Sequence, residues 1–254
     1  MAWLTKPPLG TQLDWANPLN TGLAGFWIFN EGSGDKVNDL SGNNNNGTLT
    51  NISLPSTSTS GWNTGRLGPS IAFDGIDDFI NIGNVLDLGS TFTISIWSKY
   101  YTTGNPDRTL LSKMPNTIIW WDLQVRSSVA TSNAGKYNFQ FDDDVTKAVL
   151  LSTNRIDDSQ WHHAVVTRDA TGYKLYVDTI LNSSFGNNGN ISNSGSIQIG
   201  SNTYQGLYFN GMIDEVRIWN RALSSTERST LYTDPYNMFL DTGCPPVICT
   251  LNIT

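Results

Sequence analysis

At 254 residues the chain is long enough for one large β-rich domain, and 38% hydrophobic residues, with nine tryptophans, supply material for its core. Acidic groups outnumber basic ones by 22 to 15, giving a formal charge of −7, and no Lys/Arg cluster forms a basic stripe, which excludes nucleic acid as a partner. No apolar run reaches the ~20 residues of a membrane span, so membrane insertion is excluded as well, and residues 1–10 lack the basic head and apolar segment of a secretory signal.

Residues 1–22, with Pro7, Pro8 and Pro18, read as an extended N-terminal arm. The apolar run at 23–29 is a strand, bounded by Gly22 and by the turn-forming 30–34 segment. Residues 39–47, rich in Asn and Gly, form a loop because these residues tolerate left-handed backbone. A second polar loop is expected over 53–65, with Trp62 inside it. Strands are predicted at 70–73, 79–82, 92–101, 109–113, 117–126, 137–141, 147–151, 161–168, 173–177 and 196–199. In several of them apolar and polar residues alternate, as in Tyr137, Phe139 and Phe141 against Asn138 and Gln140. Asp169 to Gly172 reads as a hairpin turn.

The last predicted strand, 212–219, puts Asp214 in register with Met212, Val216 and Ile218, so that a carboxylate faces inward and needs a countercharge. Ser224 and Glu227 then fit a capping box opening a short helix through Tyr232. Residues 234–254 are a tail containing both cysteines, Cys244 and Cys249, which could be bridged or free.

The segments 25–34, 39–47, 71–80, 92–97, 161–166, 174–178 and 213–219 in this order resemble the laminin-G-like branch of the concanavalin A-like lectin/glucanase family. The resemblance implies an all-β fold, a two-sheet antiparallel jelly-roll sandwich over 23–233 with one short C-terminal helix and extended terminal arms. The arm, through Lys6-Pro7-Pro8 and Asn17-Pro18, is further similar to the N-termini of laminin-G-like proteins in tailed-phage genomes.

Asp39, Asn43 and Asn46 supply the oxygen ligands that calcium prefers, and with Asp214 they form the expected structural calcium site, at places where related domains hold one. Asp74, Asp77 and Asp78 fit turn chemistry better than a metal site, and Asp142 to Asp144 end a strand in solvent. His162 and His163 are neighbours on a strand, point to opposite faces and read as structural. The alternating carboxylates of the family's glucanases are missing, and Asp214 and Glu215, being adjacent, should point apart. Sugar stacking needs aromatic rings near loops, for which Trp62, Trp120, Tyr204 and Tyr208 are the candidates. The resulting expectation is a non-catalytic structural and recognition protein of a phage virion surface. Its terminal arms would dock on a capsid or other virion protein, its domain would contact cell-surface glycans, and the chain would self-associate. The alternative is a calcium-stabilised carbohydrate-binding module, extracellular or cellular, with a glycoside hydrolase third.

Overall fold

The computed structural model describes residues 5–101, 107–115, 118–126, 132–186 and 189–240. The chain first forms β1 (Leu23–Trp27), β2 (Lys36–Val37), β3 (Gly47–Thr50), β4 (Gly61–Thr64), β5 (Pro69–Asp74) and β6 (Phe79–Gly83). Next come β7 (Phe92–Tyr100), β8 (Arg108–Lys113), β9 (Trp120–Val125), β10 (Tyr137–Asp142), β11 (Lys147–Leu151) and β12 (Trp161–Asp169). Finally β13 (Gly172–Val177), β14 (Ile180–Phe185), β15 (Ile197–Ile199), β16 (Ser201–Asn202), β17 (Leu207–Tyr208) and β18 (Asn210–Trp219) lead into helix α1 (Ser225–Thr233).

These strands build the expected two-sheet antiparallel sandwich. The first sheet runs β14-β13-β12-β7-β18-β5-β4, with β1 pairing the second half of β18. The second runs β11-β10-β9-β8-β15-β6-β3-β2. Alternation decides what lies between them: Trp121, Leu123 and Val125 of β9 and Tyr137, Phe139 and Phe141 of β10 enter one core with Phe92, Ile94 and Ile96 of β7. Each fully buried side chain of this kind contributes about 1.5–3 kcal/mol. The segment expected to be a polar loop at 53–65 ends in β4, an edge strand held by pairing with β5, where Trp62 meets Ile71.

A second apolar cluster covers the outer face of the first sheet. Leu13, Leu19 and Phe26 join Trp219, Leu231, Tyr236 and Phe239 there. Leu13 bridges to Phe239, and the Leu240 N–H donates to the Gln12 carbonyl at 3.0 Å. The described parts of the two arms, residues 5–22 and 234–240, thus close over their own domain because their leucines and aromatics fill its outer layer. Cys244 and Cys249 lie outside the described residues. Helix α1 carries the predicted capping box, with Ser224 Oγ accepting from the Glu227 N–H and the Ser224 N–H donating to Glu227 Oε2 at 2.8 Å.

A bulge in β18 overturns the predicted facing of Asp214. Glu215 adopts φ +50°, and the pairing with β7 slips so that Asp214 faces Trp97 but Arg217 faces Ser95. Ile213, Val216 and Ile218 therefore enter the core, while Asp214, Glu215 and Arg217 all lie buried outside it. Asp214 and Glu215 do not point apart, because the extra residue absorbs the alternation. Glu215 accepts from the Tyr236 hydroxyl at 2.6 Å and pairs with Arg217 at 3.3 Å, and Arg217 stacks over Phe26. Next to them Trp97 is stacked on His163 at 4.8 Å, with Arg66 3.9 Å from its centroid. Burial, followed by the charge of Arg217, pulls His163 down to about 3, so it stays neutral with Nε2 2.8 Å from Ser95 Oγ.

Candidate functional site

The outer face of the second sheet is polar from β2 to β10 and ends on β11 with the exposed Val149. Cross-strand register aligns Lys36, Thr48, Asn81, Gln198, Ser112, Asp122, Gln140 and Val149 in one transverse row, one residue from each of the eight strands. A neighbouring row sets Thr109 beside Gln124 and Gln124 beside Asn138, and a third sets Trp120 beside Asp142 and Asp142 beside Lys147. The rows exist because each strand spends its alternate residues on the core and leaves amides, hydroxyls and carboxylates outward. Asn81 and Val149 are exposed and Gln140, Gln198 and Trp120 half-buried, whereas Ser112, Asp122, Gln124 and Asn138 form a buried floor.

The β16–β17 hairpin lies against this face. Ser112 Oγ donates to the Ser201 carbonyl at 2.7 Å, and Asn202 Nδ2 donates to Asp122 Oδ2 at 3.1 Å. Gln198 Nε2 donates to Thr203 Oγ1 at 2.9 Å, fixing the turn that carries Tyr204. Asp122 is fully buried, and Gln124 Nε2 also donates to its Oδ2 at 2.7 Å, but Oδ1 has no protein donor. Desolvation pushes its carboxyl up to about 7 against the pull of the surrounding amides. Asn138 Oδ1 is likewise buried and unpartnered.

Of the four aromatic candidates, Trp120 lies on this face, with the Lys147 ammonium 5.1 Å from its ring centroid. Tyr204, 67% exposed, sits at the hairpin tip, and Tyr208 lies at its base, paired with Ser201, where its carbonyl accepts from Arg108 at 3.1 Å. Trp62 is elsewhere. It is buried in β4 with its Nε1 donating to the Gly34 carbonyl at 2.8 Å, on an open groove of about 500 Å³ also lined by Asn63 and Pro69. A separate cavity of about 320 Å³ is lined by His162, Asp178 and Asn182. There His162 lies 2.7 Å from Asp178 and 3.1 Å from Asp158, and the Asp178 bond raises its pKa above the usual histidine range.

The residues expected to gather on calcium are divided between two partner sets. Asp39 Oδ1 accepts from the Phe26 and Ser41 N–H groups, and Oδ2 from Ser41 Oγ and the Asn45 N–H. Asn46 Oδ1 accepts from the Asp39 N–H, and Asn43 Nδ2 donates to the Ala24 carbonyl, so these side chains staple their loop to β1. Asp214 has its countercharge in Lys6, whose buried ammonium donates to Asp214 Oδ1 at 2.5 Å and to the Phe29 carbonyl at 3.1 Å. Lys6 thus supplies the countercharge that Asp214 needs, and Asp214 shares no described partner with Asp39. Asp74, Asp77 and Asp78 each bring a carboxylate oxygen within 4.8 Å of the others. Asp74 Oδ1 caps the turn through the Ile76 N–H, and burial raises Asp78 to about 6.

The face residues Asp122, Gln124, Gln140 and Gln198 were not singled out from sequence. Their signal was the Asp-x-Gln of β9 followed by the Asn-x-Gln of β10, both interleaved with core aromatics and aliphatics.

The sandwich, its two-sheet order and its polar outer face define a lectin-type jelly roll. A family model described as the concanavalin A-like lectin/glucanases superfamily, of the laminin-G type, matches residues 74–227. The chain belongs to this superfamily. Comparison with curated sequences finds no match. Among solved structures, domain 4 of AbnA, a GH43 extracellular arabinanase from Geobacillus stearothermophilus solved with arabinotriose, superposes with a TM-score of 0.65 at 19% identity. That match covers 83% of this chain and 98% of the other. The binding domain of Paraclostridial Mosquitocidal Protein 1 gives 0.66 at 17% identity, over 86% of this chain and 53% of that one. The receptor-binding domain of botulinum neurotoxin D gives 0.62 at 16%, over 84% and 53%. The chain thus spans about half the length of these toxin domains. At such identities the likeness is one of fold.

Proposed function

We propose that the protein is a non-catalytic glycan-recognition module and that the outer face of the second sheet is its binding surface. The observation that carries this is the transverse row in which the amides and hydroxyls of Thr48, Asn81, Gln198, Ser112 and Gln140 stand with Asp122, and Trp120 beside it. Amides donate and accept at once, which suits the vicinal hydroxyls of a sugar, while an aromatic ring covers its apolar face. Support by analogy comes from the arabinotriose bound by the AbnA domain and from botulinum neurotoxin type C, whose cell entry is described as dependent upon interaction with two ganglioside molecules. Calorimetry with arabinotriose and with xylo- and cello-oligosaccharides tests the reading. Binding that Trp120→Ala weakens about tenfold supports it, and no heat from any of them at millimolar concentration sinks it.

One observation favours a hydrolase as the second reading. Asp142 faces Trp120 and Asp122 faces Gln140, so the two acids are diagonal neighbours on one face, the first near Lys147 at 3.8 Å and the second held toward its protonated form. The complete burial of Asp122 weighs against it as a general acid. Release of reducing ends that Asp122→Asn abolishes would establish this reading in place of the first. Display on a virion surface, proposed from the N-terminal resemblance together with a single domain that has extended ends and no catalytic set, is tested by mass spectrometry of purified particles, where absence of the chain contradicts it.

A further inference from the structure

We infer that the outer face selects uncharged saccharides and discriminates against glycans bearing sialic acid, sulfate or uronate. The inference rests on the glycan-recognition reading and names its ligand class.

The floor of the face lacks donors, not acceptors. Its two unpartnered buried atoms on these outward positions of β9 and β10, Asp122 Oδ1 and Asn138 Oδ1, are both oxygens. Such atoms are satisfied by hydroxyl or water hydrogens and repel the acceptor-only oxygens of an anionic sugar. The described cations near them are already engaged. Lys147 lies 3.8 Å from Asp142 and over Trp120, and Lys36, at the far edge, donates to Thr48 Oγ1 at 2.7 Å. Beyond the end of β9, Arg126 pairs with Asp107 at 2.9 Å. Arg108, at the start of β8, spends its Nη1 on the Gly75 and Tyr208 carbonyls, and none of the three rows carries an arginine to take a carboxylate or sulfate in the two-pronged geometry that anion recognition favours. When Asp122 ionises, as it does above about pH 7, the floor becomes more hostile to anions still.

The test uses matched pairs of free oligosaccharides, a lactose-core tetrasaccharide with and without a terminal sialic acid and a neutral oligosaccharide with and without a uronate, titrated into the full chain. The neutral member should bind with an affinity unchanged between roughly 0.05 and 0.5 M salt, because no ion pair forms. The acidic member should bind about tenfold more weakly or worse. Asp142→Asn, which keeps the turn-capping acceptor used by the Asp144 N–H, should narrow that gap to about threefold, and Asp122→Asn provides a second variant should the first misfold. Equal or preferential binding of the acidic members overturns the inference and leaves glycan recognition standing. Failure of every saccharide to bind removes the underlying reading and the inference with it.

Discussion

Replacing Asp122 with Asn should make the folded protein more stable at alkaline pH, an unusual outcome for substitution of a buried polar residue. In the native state this carboxyl is pushed from 3.8 to about 7 by burial, so between those values the folded chain holds a proton that the unfolded chain has released. The associated stability is fully present below the unfolded pKa and is lost as pH rises through 7. At about 1.4 kcal/mol per pH unit, the loss reaches about 4 kcal/mol. Asn keeps the shape and both hydrogen-bonding roles of a protonated acid without the charge. Urea unfolding of both proteins at a series of pH values measures the gap directly, and the subtraction cancels Asp78, which burial also raises to about 6 in both. Near pH 4 the two should be of similar stability, and by pH 8 the variant should lead by up to about 4 kcal/mol. A gap that stays constant over this range would refute the argument, since Asp122 would then titrate as it does in the unfolded chain.

Three other outcomes follow from the same structure. Lys6→Met leaves Asp214 buried without its ammonium and should cost about 3–5 kcal/mol in urea unfolding, much of it recovered when Asp214→Asn is added; an additive double mutant would contradict the pairing. His162, held between Asp178 and Asp158, should titrate by NMR above 6.5 and shift down in Asp178→Asn. Its contribution to stability is present below the unfolded pKa and lost as pH rises through the raised folded value, so a wild-type midpoint at or below 6.5 would count against the arrangement. Because Lys6 pairs with Asp214 and four protein donors fill Asp39, chelation with EDTA should leave the melting temperature unchanged, whereas a fall of several degrees reversed by calcium would establish the calcium site.

The sandwich was readable wherever a strand alternates cleanly, as in β9 and β10, and where a side chain declares its role locally, as Ser224 and Glu227 do. β4 was hidden because Gly61–Thr64 has a single apolar residue and is a strand only through its pairing with β5. The bulge at Glu215 was invisible because glutamate seldom takes positive φ, and the bulge alone determines that Asp214 leaves the core. Lys6 lies 208 residues from its partner, a separation no local pattern bridges. The face residues were all visible as amides and acids. What could not be read was the strand order β9-β8-β15-β6-β3, which brings side chains from distant segments into a single row.

The most direct test of the glycan-binding surface is an NMR titration with a neutral oligosaccharide such as arabinotriose, following side-chain amide and indole resonances. Shifts concentrated on Gln140, Gln198, Asn81 and the Trp120 indole are the predicted result. Shifts confined to the Trp62 groove or the His162 cavity, with the outer face silent, would contradict it.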